Sequence, residues 1–116
     1  MPDQPAFDER GLVPAVVQDV ETREVLMVGF MNQEAWEHTC RTGFATFFSR
    51  TRGALWTKGE SSGNRLQVVR TLIDCDHDTV LLEARCLGDG VVCHTGERSC
   101  FFTELTDGGA EAPPYR

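Results

Sequence analysis

No apolar run in this 116-residue sequence approaches the roughly 20 residues that a membrane-spanning helix needs. The first ten residues, Met1 to Arg10, lack the basic end and apolar stretch of a secretory leader, so a cytoplasmic location is the expectation. Positive charge is also scarce. Eleven Lys and Arg face eighteen Asp and Glu, and the resulting net charge of −7 argues against a general nucleic-acid binder, which usually shows a basic face. An anionic ligand would therefore have to meet a local cluster of cations against an unfavourable overall field. Neither a Walker A loop nor a GxGxxG turn is present, which removes the two commonest nucleotide cradles. No internal repeat is visible, and five cysteines are an odd number for a disulfide framework.

What is present is an ordinary globular composition, 41% apolar and 25% charged, at a length that suits one domain. Leu12–Gln18 and Val25–Met31 are β-rich runs joined across a polar stretch, a hairpin pattern. Asn32 reads as a helix N-cap with Gly43 just past the end, and Ala35, Trp36, Thr39 and Cys40 fall on one helical face. Two further strand pairs are expected, Ala45–Arg50 with Leu55–Lys58 and Leu66–Ile73 with Thr79–Leu87, followed by a last element through Cys93–Leu105. The fold class is α+β, a small and mostly antiparallel sheet with one or two helices. One domain spans residues 1–107, and 108–116 has the composition of a flexible C-terminal tail.

Three constellations carry chemistry. The first is Cys93-His94-Thr95-Gly96-Glu97-Arg98-Ser99-Cys100, whose thiol spacing is not that of a zinc finger. With Cys75, which lies between carboxylates, it offers three soft ligands, an incomplete tetrahedron of the kind a catalytic zinc requires. Zinc lowers the pKa of water to about 7, and His94 beside Cys93 is placed to act as general base or proton shuttle. Cys40 and Cys86 read as core packing.

The second constellation is Asp74, Asp76 and Asp78, hard donors suited to magnesium, or alternatively a solvated turn. An EF-hand is excluded by Thr79 and Arg85 where Gly and Glu are needed. If the segment is extended, alternation puts the three Asp on one side and Cys75 on the other, toward a different site or a second chain. The third is Ser49-Arg50-Thr51-Arg52 followed by Trp56 through Arg65. Arg50, Arg52, Lys58 and Arg65 lie among glycines and serines able to cradle phosphate oxygens, with a solvated hairpin as the alternative.

The chain resembles the phosphoribosyl-AMP cyclohydrolases. The resemblance rests on Leu12–Asp19, Val25–Met27, Met31-Asn32, Ser49-Arg50, Trp56–Gly63, Asp74–Asp78, Cys93–Gly96 and Ser99–Phe101, in order and without large gaps. It implies hydrolysis of the N1–C6 bond of the adenine ring in 1-(5-phosphoribosyl)-AMP, the third step of histidine biosynthesis. It also implies an intertwined homodimer using zinc and magnesium, with Cys93 and Cys100 of one chain and Cys75 of the partner holding zinc and Asp74, Asp76 and Asp78 holding magnesium. His94 would handle the proton. Arg50, Arg52, Trp56, Lys58, Gly59, Glu60, Ser61, Ser62 and Gly63 would bind the substrate. The chain departs from the common family pattern at Phe47-Phe48, Asn64 and Val91-Val92. Two other readings compete, a paralogue acting on a different purine-like ring and a zinc-binding structural or nucleic-acid module.

Overall fold

The structure is a computed structural model describing residues 4–105; the expected tail at 108–116 lies outside them. Seven elements follow one another: β1 (Val13–Asp19), β2 (Val25–Met31), α1 (Gln33–Thr42), β3 (Thr46–Ser49), β4 (Ala54–Thr57), β5 (Leu66–Ile73) and β6 (Val80–Cys86). Four strands form one sheet in the order β2-β1-β6-β5, and β3-β4 form a small second one. Pairing is antiparallel except between the central strands β1 and β6, which run parallel. That parallel pair brings Val16 beside Leu81 across the middle of the chain. Sequence-local hairpins do not reveal it.

Alternation in β1 divides the sheet. Val13, Ala15, Val17 and Asp19 are buried, while Pro14, Val16 and Gln18 are half-buried on the other side. The buried side meets α1, whose Asn32 side chain accepts from the Ala35 N–H and whose end is set by Gly43 at φ 81°. Ala35, Trp36 and Thr39 are buried as expected. Cys86 is half-buried and packs against the core as expected, whereas Cys40 is exposed and is not the core cysteine the sequence suggested.

The small sheet closes the same side. Phe47 is fully buried and lies over Gly29, where an added Cβ would come within 2.6 Å of its ring. Glycine at position 29 is what lets the second sheet approach. Trp56 joins Phe47 with ring centroids 5.1 Å apart.

Across the open side runs an apolar row through all four strands, Val28–Val16–Leu81–Leu72, in direct register. Val28 is 44% exposed and the other three are half-buried. Beside this row the buried Glu83 is paired with Arg23 at 3.4 Å and Arg70 at 3.3 Å. Among the described residues no helix is long and apolar enough to cross a membrane, and there is one helix, not two. The segment Cys93–Leu105 forms turns and bends, with neither helix nor strand.

Candidate active-site cleft

Where β1 and β6 end, the chain between β6 and Leu105 folds back over the sheet. Val92 enters the core at 2% exposure and fixes the start of the thiol segment. The Cys93 N–H donates to the Glu97 carbonyl at 3.0 Å, and the Cys100 N–H to the Leu26 carbonyl at 2.8 Å. These bonds put the two thiols within hydrogen-bonding reach of each other. The Thr95 hydroxyl donates to Cys93 Sγ at 3.0 Å. That hydroxyl and the Thr95 N–H hold the Cys93 thiol below its ordinary pKa, helped by Cys100 and the Lys58 ammonium and opposed by burial. Cys100 is pushed up, first by burial and then by the neighbouring Cys93. The pair is thus polarised, with Cys93 ionising first.

A cleft of about 620 Å³ opens beside them. One wall carries Cys93 and His94, with Val91 next to them. The facing wall runs from Arg52, Trp56 and Lys58 through Gly59, Glu60, Ser61 and Ser62. Nine of the residues singled out in the sequence meet here. The turn is shaped by Gly59 at φ 79°, where a Cβ would overlap the Asn64 carbonyl. Asn64 itself lines the cleft, and its Oδ1 accepts from the Asp89 N–H at 2.9 Å. This departure from the family pattern ties the two sides of the cleft together.

Other expected residues lie elsewhere. Gly63 is outside the cleft lining. Arg50 stacks on Phe30, 4.1 Å from the ring centroid, and Arg65 covers Phe44 in a separate pocket of about 260 Å³. Asp74–Asp78 forms a turn, not an extended strand, with His77 at φ 68°. The alternation reading therefore does not apply there. Asp74, Asp76 and Asp78 each offer one oxygen within 4.8 Å of the others, a grouping of hard donors that could hold a cation. Their mutual hydrogen bonding splits them, lowering Asp74, where burial opposes the bonds from Asp78, and raising Asp78 through Asp76 and Asp74.

Cys75 is exposed in that turn. It does not join Cys93 and Cys100, since the Asp trio is the one such three-ligand cluster among the described residues. The separation is built into the hairpin. Leu66 pairs with Cys86 at the cleft end and Ile73 with Val80 at the Asp end, so the length of β5 puts roughly 25 Å between them.

Sequence reasoning missed Arg98 and Asp19. The Arg98 guanidinium bonds the Asp19 carboxylate and reaches Glu24 Oε1 at 2.8 Å. No motif marks such a pair, whose partners lie 79 positions apart.

A cleft of this size, with cations and turn amides facing a thiol and an imidazole, is the anatomy of an enzyme for a small anionic molecule. The comparisons make this specific. Residues 27–102 match the family model described as phosphoribosyl-AMP cyclohydrolase. A phosphoribosyl-AMP cyclohydrolase from Desulfatibacillum aliphaticivorans is 57% identical over 91 residues, covering 78% of this chain and 72% of that protein. One from Erythrobacter litoralis is 53% identical over 107 residues, covering 92% and 84%. The histidine biosynthesis bifunctional protein HisIE of Thermus thermophilus is 56% identical over 102 residues, covering 88% of this chain; the chain spans about half of that relative's length, 47%. The chain belongs to the phosphoribosyl-AMP cyclohydrolase family and is an enzyme, a hydrolase.

Proposed function

We propose that this chain hydrolyses the N1–C6 bond of the adenine ring of 1-(5-phosphoribosyl)-AMP in histidine biosynthesis, with zinc at Cys93, Cys100 and a second copy's Cys75, and magnesium at Asp74, Asp76 and Asp78. The observation that carries the reading is the Cys93 thiol, brought beside Cys100 by the backbone bonds of the loop and lining a cleft whose facing wall holds Arg52 and Lys58. Two thiolates, one already favoured as the anion, suit a soft cation and leave its coordination incomplete within one chain. When bound, zinc supplies Lewis acidity enough to ionise water near neutral pH.

The chain's own groups supply the rest. Arg52, Lys58 and the turn amides and hydroxyls of Gly59, Ser61 and Ser62 hold phosphate oxygens. Trp56 gives an aromatic wall for the base. His94, exposed at the cleft edge next to Cys93, takes a proton from the attacking water and returns it to N1. The oxygen bonds to C6 as the C6–N1 bond breaks, so one water is consumed.

A homodimer follows from the same reading. The apolar row Val28–Val16–Leu81–Leu72 continues into a groove of about 400 Å³ lined by Val16, Leu72, Leu81 and Asp74. A second copy on this face would bring the Asp74–Asp78 turn within reach of a cleft that its own chain keeps about 25 Å away. Thiol ligands also call for a reducing compartment, in keeping with the cytoplasm.

The test is turnover of phosphoribosyl-AMP before and after removal of zinc. Turnover that disappears with chelation and returns with zinc supports the reading, and Cys93→Ala should lose zinc and turnover together. Full activity in zinc-free Cys93→Ala would overturn it.

A further inference from the structure

The segment from Leu87 to Cys100 contains neither helix nor strand, so its own backbone fixes little. The Val92 N–H donates to the Arg98 carbonyl at 3.2 Å, Cys93 to Glu97 at 3.0 Å and Gly96 to Cys93 at 3.0 Å. These bonds fold residues 92–98 onto themselves; Val92 in the core and the Cys100 N–H on the Leu26 carbonyl at 2.8 Å pin the two ends, and the tilt of the stretch between them is set from outside. The Arg98 side chain spans that gap. Nη2 binds Asp19 Oδ2, Nε binds Glu24 Oε1 at 2.8 Å, and Nη1 reaches the Gly90 carbonyl at 3.4 Å. One planar group thus ties together the end of β1, the β1–β2 turn and the approach to Cys93. Lysine's single point charge cannot reproduce that fork.

The receiving carboxylate is itself fixed. Asp19 ends β1 at 6% exposure and already accepts from the Glu21 and Thr22 N–H groups, at 2.8 and 3.0 Å. Its position is set by its own turn before Arg98 arrives. Next along the loop, Ser99 donates to the Val25 carbonyl at 2.7 Å and completes the anchor immediately before Cys100.

We infer that Arg98, seated on Asp19, is the positioning residue that holds the Cys93 arm of the loop against the Cys100 anchor and so preserves the separation of the two thiols. The inference rests on the zinc reading above. Two thiolates on one tetrahedral zinc must sit about 3.8 Å apart, since each Zn–S bond is ~2.3 Å. A loop free to tilt would lose that spacing. Arg98 acts here by geometry, because the cation that bears on both thiols is Lys58.

The experiment measures zinc affinity of the full chain, stripped of metal, by competition with a chromophoric chelator, alongside the Co2+–thiolate charge-transfer band. Asp19→Asn and Arg98→Gln should each weaken zinc binding about 10- to 100-fold, the range for partners that orient metal ligands. The double variant should be no worse than either single one, because both remove one interaction. Arg98→Lys should recover part of the loss, and the cobalt band should shift in every weakened variant. Folded Arg98→Gln with wild-type zinc affinity and an unchanged cobalt band would overturn the inference, even with a lowered melting temperature. If Arg98→Gln and Asp19→Asn do not fold, Glu24→Gln and Arg98→Lys decide it. They should weaken zinc about threefold, as loss of a partly exposed pair does, and unchanged values in both overturn the inference. Wild-type protein that binds no zinc overturns the zinc reading as well, whereas normal wild-type binding with unaltered variants overturns this inference alone.

Discussion

The two ends of the β5–β6 hairpin both carry potential metal ligands, and they are built in contrasting ways. At the cleft end, Cys93 is 6% exposed in a loop anchored by Val92, Ser99 and Arg98 to three other parts of the chain. At the other end, Asp74, Asp76 and Asp78 are all exposed in a turn held mainly by bonds of its own, Asp74 accepting from the Asp78 and Thr79 N–H groups, with one bond from outside, the Ala6 N–H to the His77 carbonyl at 2.6 Å. The cleft end has cations and soft donors, the far end hard anions and a lone thiol. A chain that separates complementary groups so widely cannot unite them by a loop movement. Under the proposed function, it takes a second chain.

The sharpest break of this comparison is complementation between two inactive variants. Cys75→Ser and Cys93→Ser should each lose turnover. Mixed under conditions that exchange subunits, they should recover about a quarter of wild-type activity, since half the dimers are mixed and each of those has one intact site. No recovery from a demonstrably mixed dimer would mean that Cys75 serves no partner. Next in size, Val16→Asp places a charge in the middle of the open apolar row. Size-exclusion chromatography with light scattering should show monomers that keep their fold by circular dichroism, with turnover lost along with the dimer. An unchanged dimer would locate the interface on another surface.

A smaller effect separates the ends by acid. Burial raises the Asp19 carboxyl, but the Thr22 and Glu21 N–H groups and Arg98 outweigh it, so its folded pKa lies below the ordinary value. Unfolded Asp19 would bind a proton first. Its stabilisation is therefore complete above about pH 4, the unfolded value, and is lost as pH falls through the folded pKa. Asp19→Asn should cost about 1–3 kcal/mol at neutral pH and flatten this acid limb in urea unfolding. A parallel acid limb in the variant would assign the effect to another carboxylate. The smallest change is expected from Asp78→Asn at the exposed turn, where stability should move by less than about 0.5 kcal/mol while magnesium affinity falls.

Local signals were legible where one stretch of chain determines its own form. The β-rich runs and the turns between them marked the strands, Asn32 and Gly43 bounded the helix, and the Gly59–Ser62 turn and Cys93-His94 converged on one cleft. What stayed hidden depends on pairing between distant segments. The parallel β1–β6 register, the Asp19–Arg98 strut and the covering of Gly29 by Phe47 each join residues that share no periodicity. Cys40 was misread for a simpler reason. Its place on the helical face suggested burial, but the face turns outward beyond Thr39. Arg50 was read from charge and neighbours alone, which say nothing about Phe30 waiting beneath it.

The parallel pair at the centre of the sheet has a further consequence, in time and not in space. β1 is complete by Asp19, but its partner β6 ends at Cys86, so the chain must close a loop of some sixty residues before its middle exists. Until then β1 presents a bare edge on one side and β2 on the other, a form open to wrong pairing. Such non-local closure is slow compared with hairpins and helices. The β1–β2 hairpin and α1 should thus form early and wait, and the cleft, whose thiol loop rests on the ends of both central strands, should be the last part of the molecule to take shape.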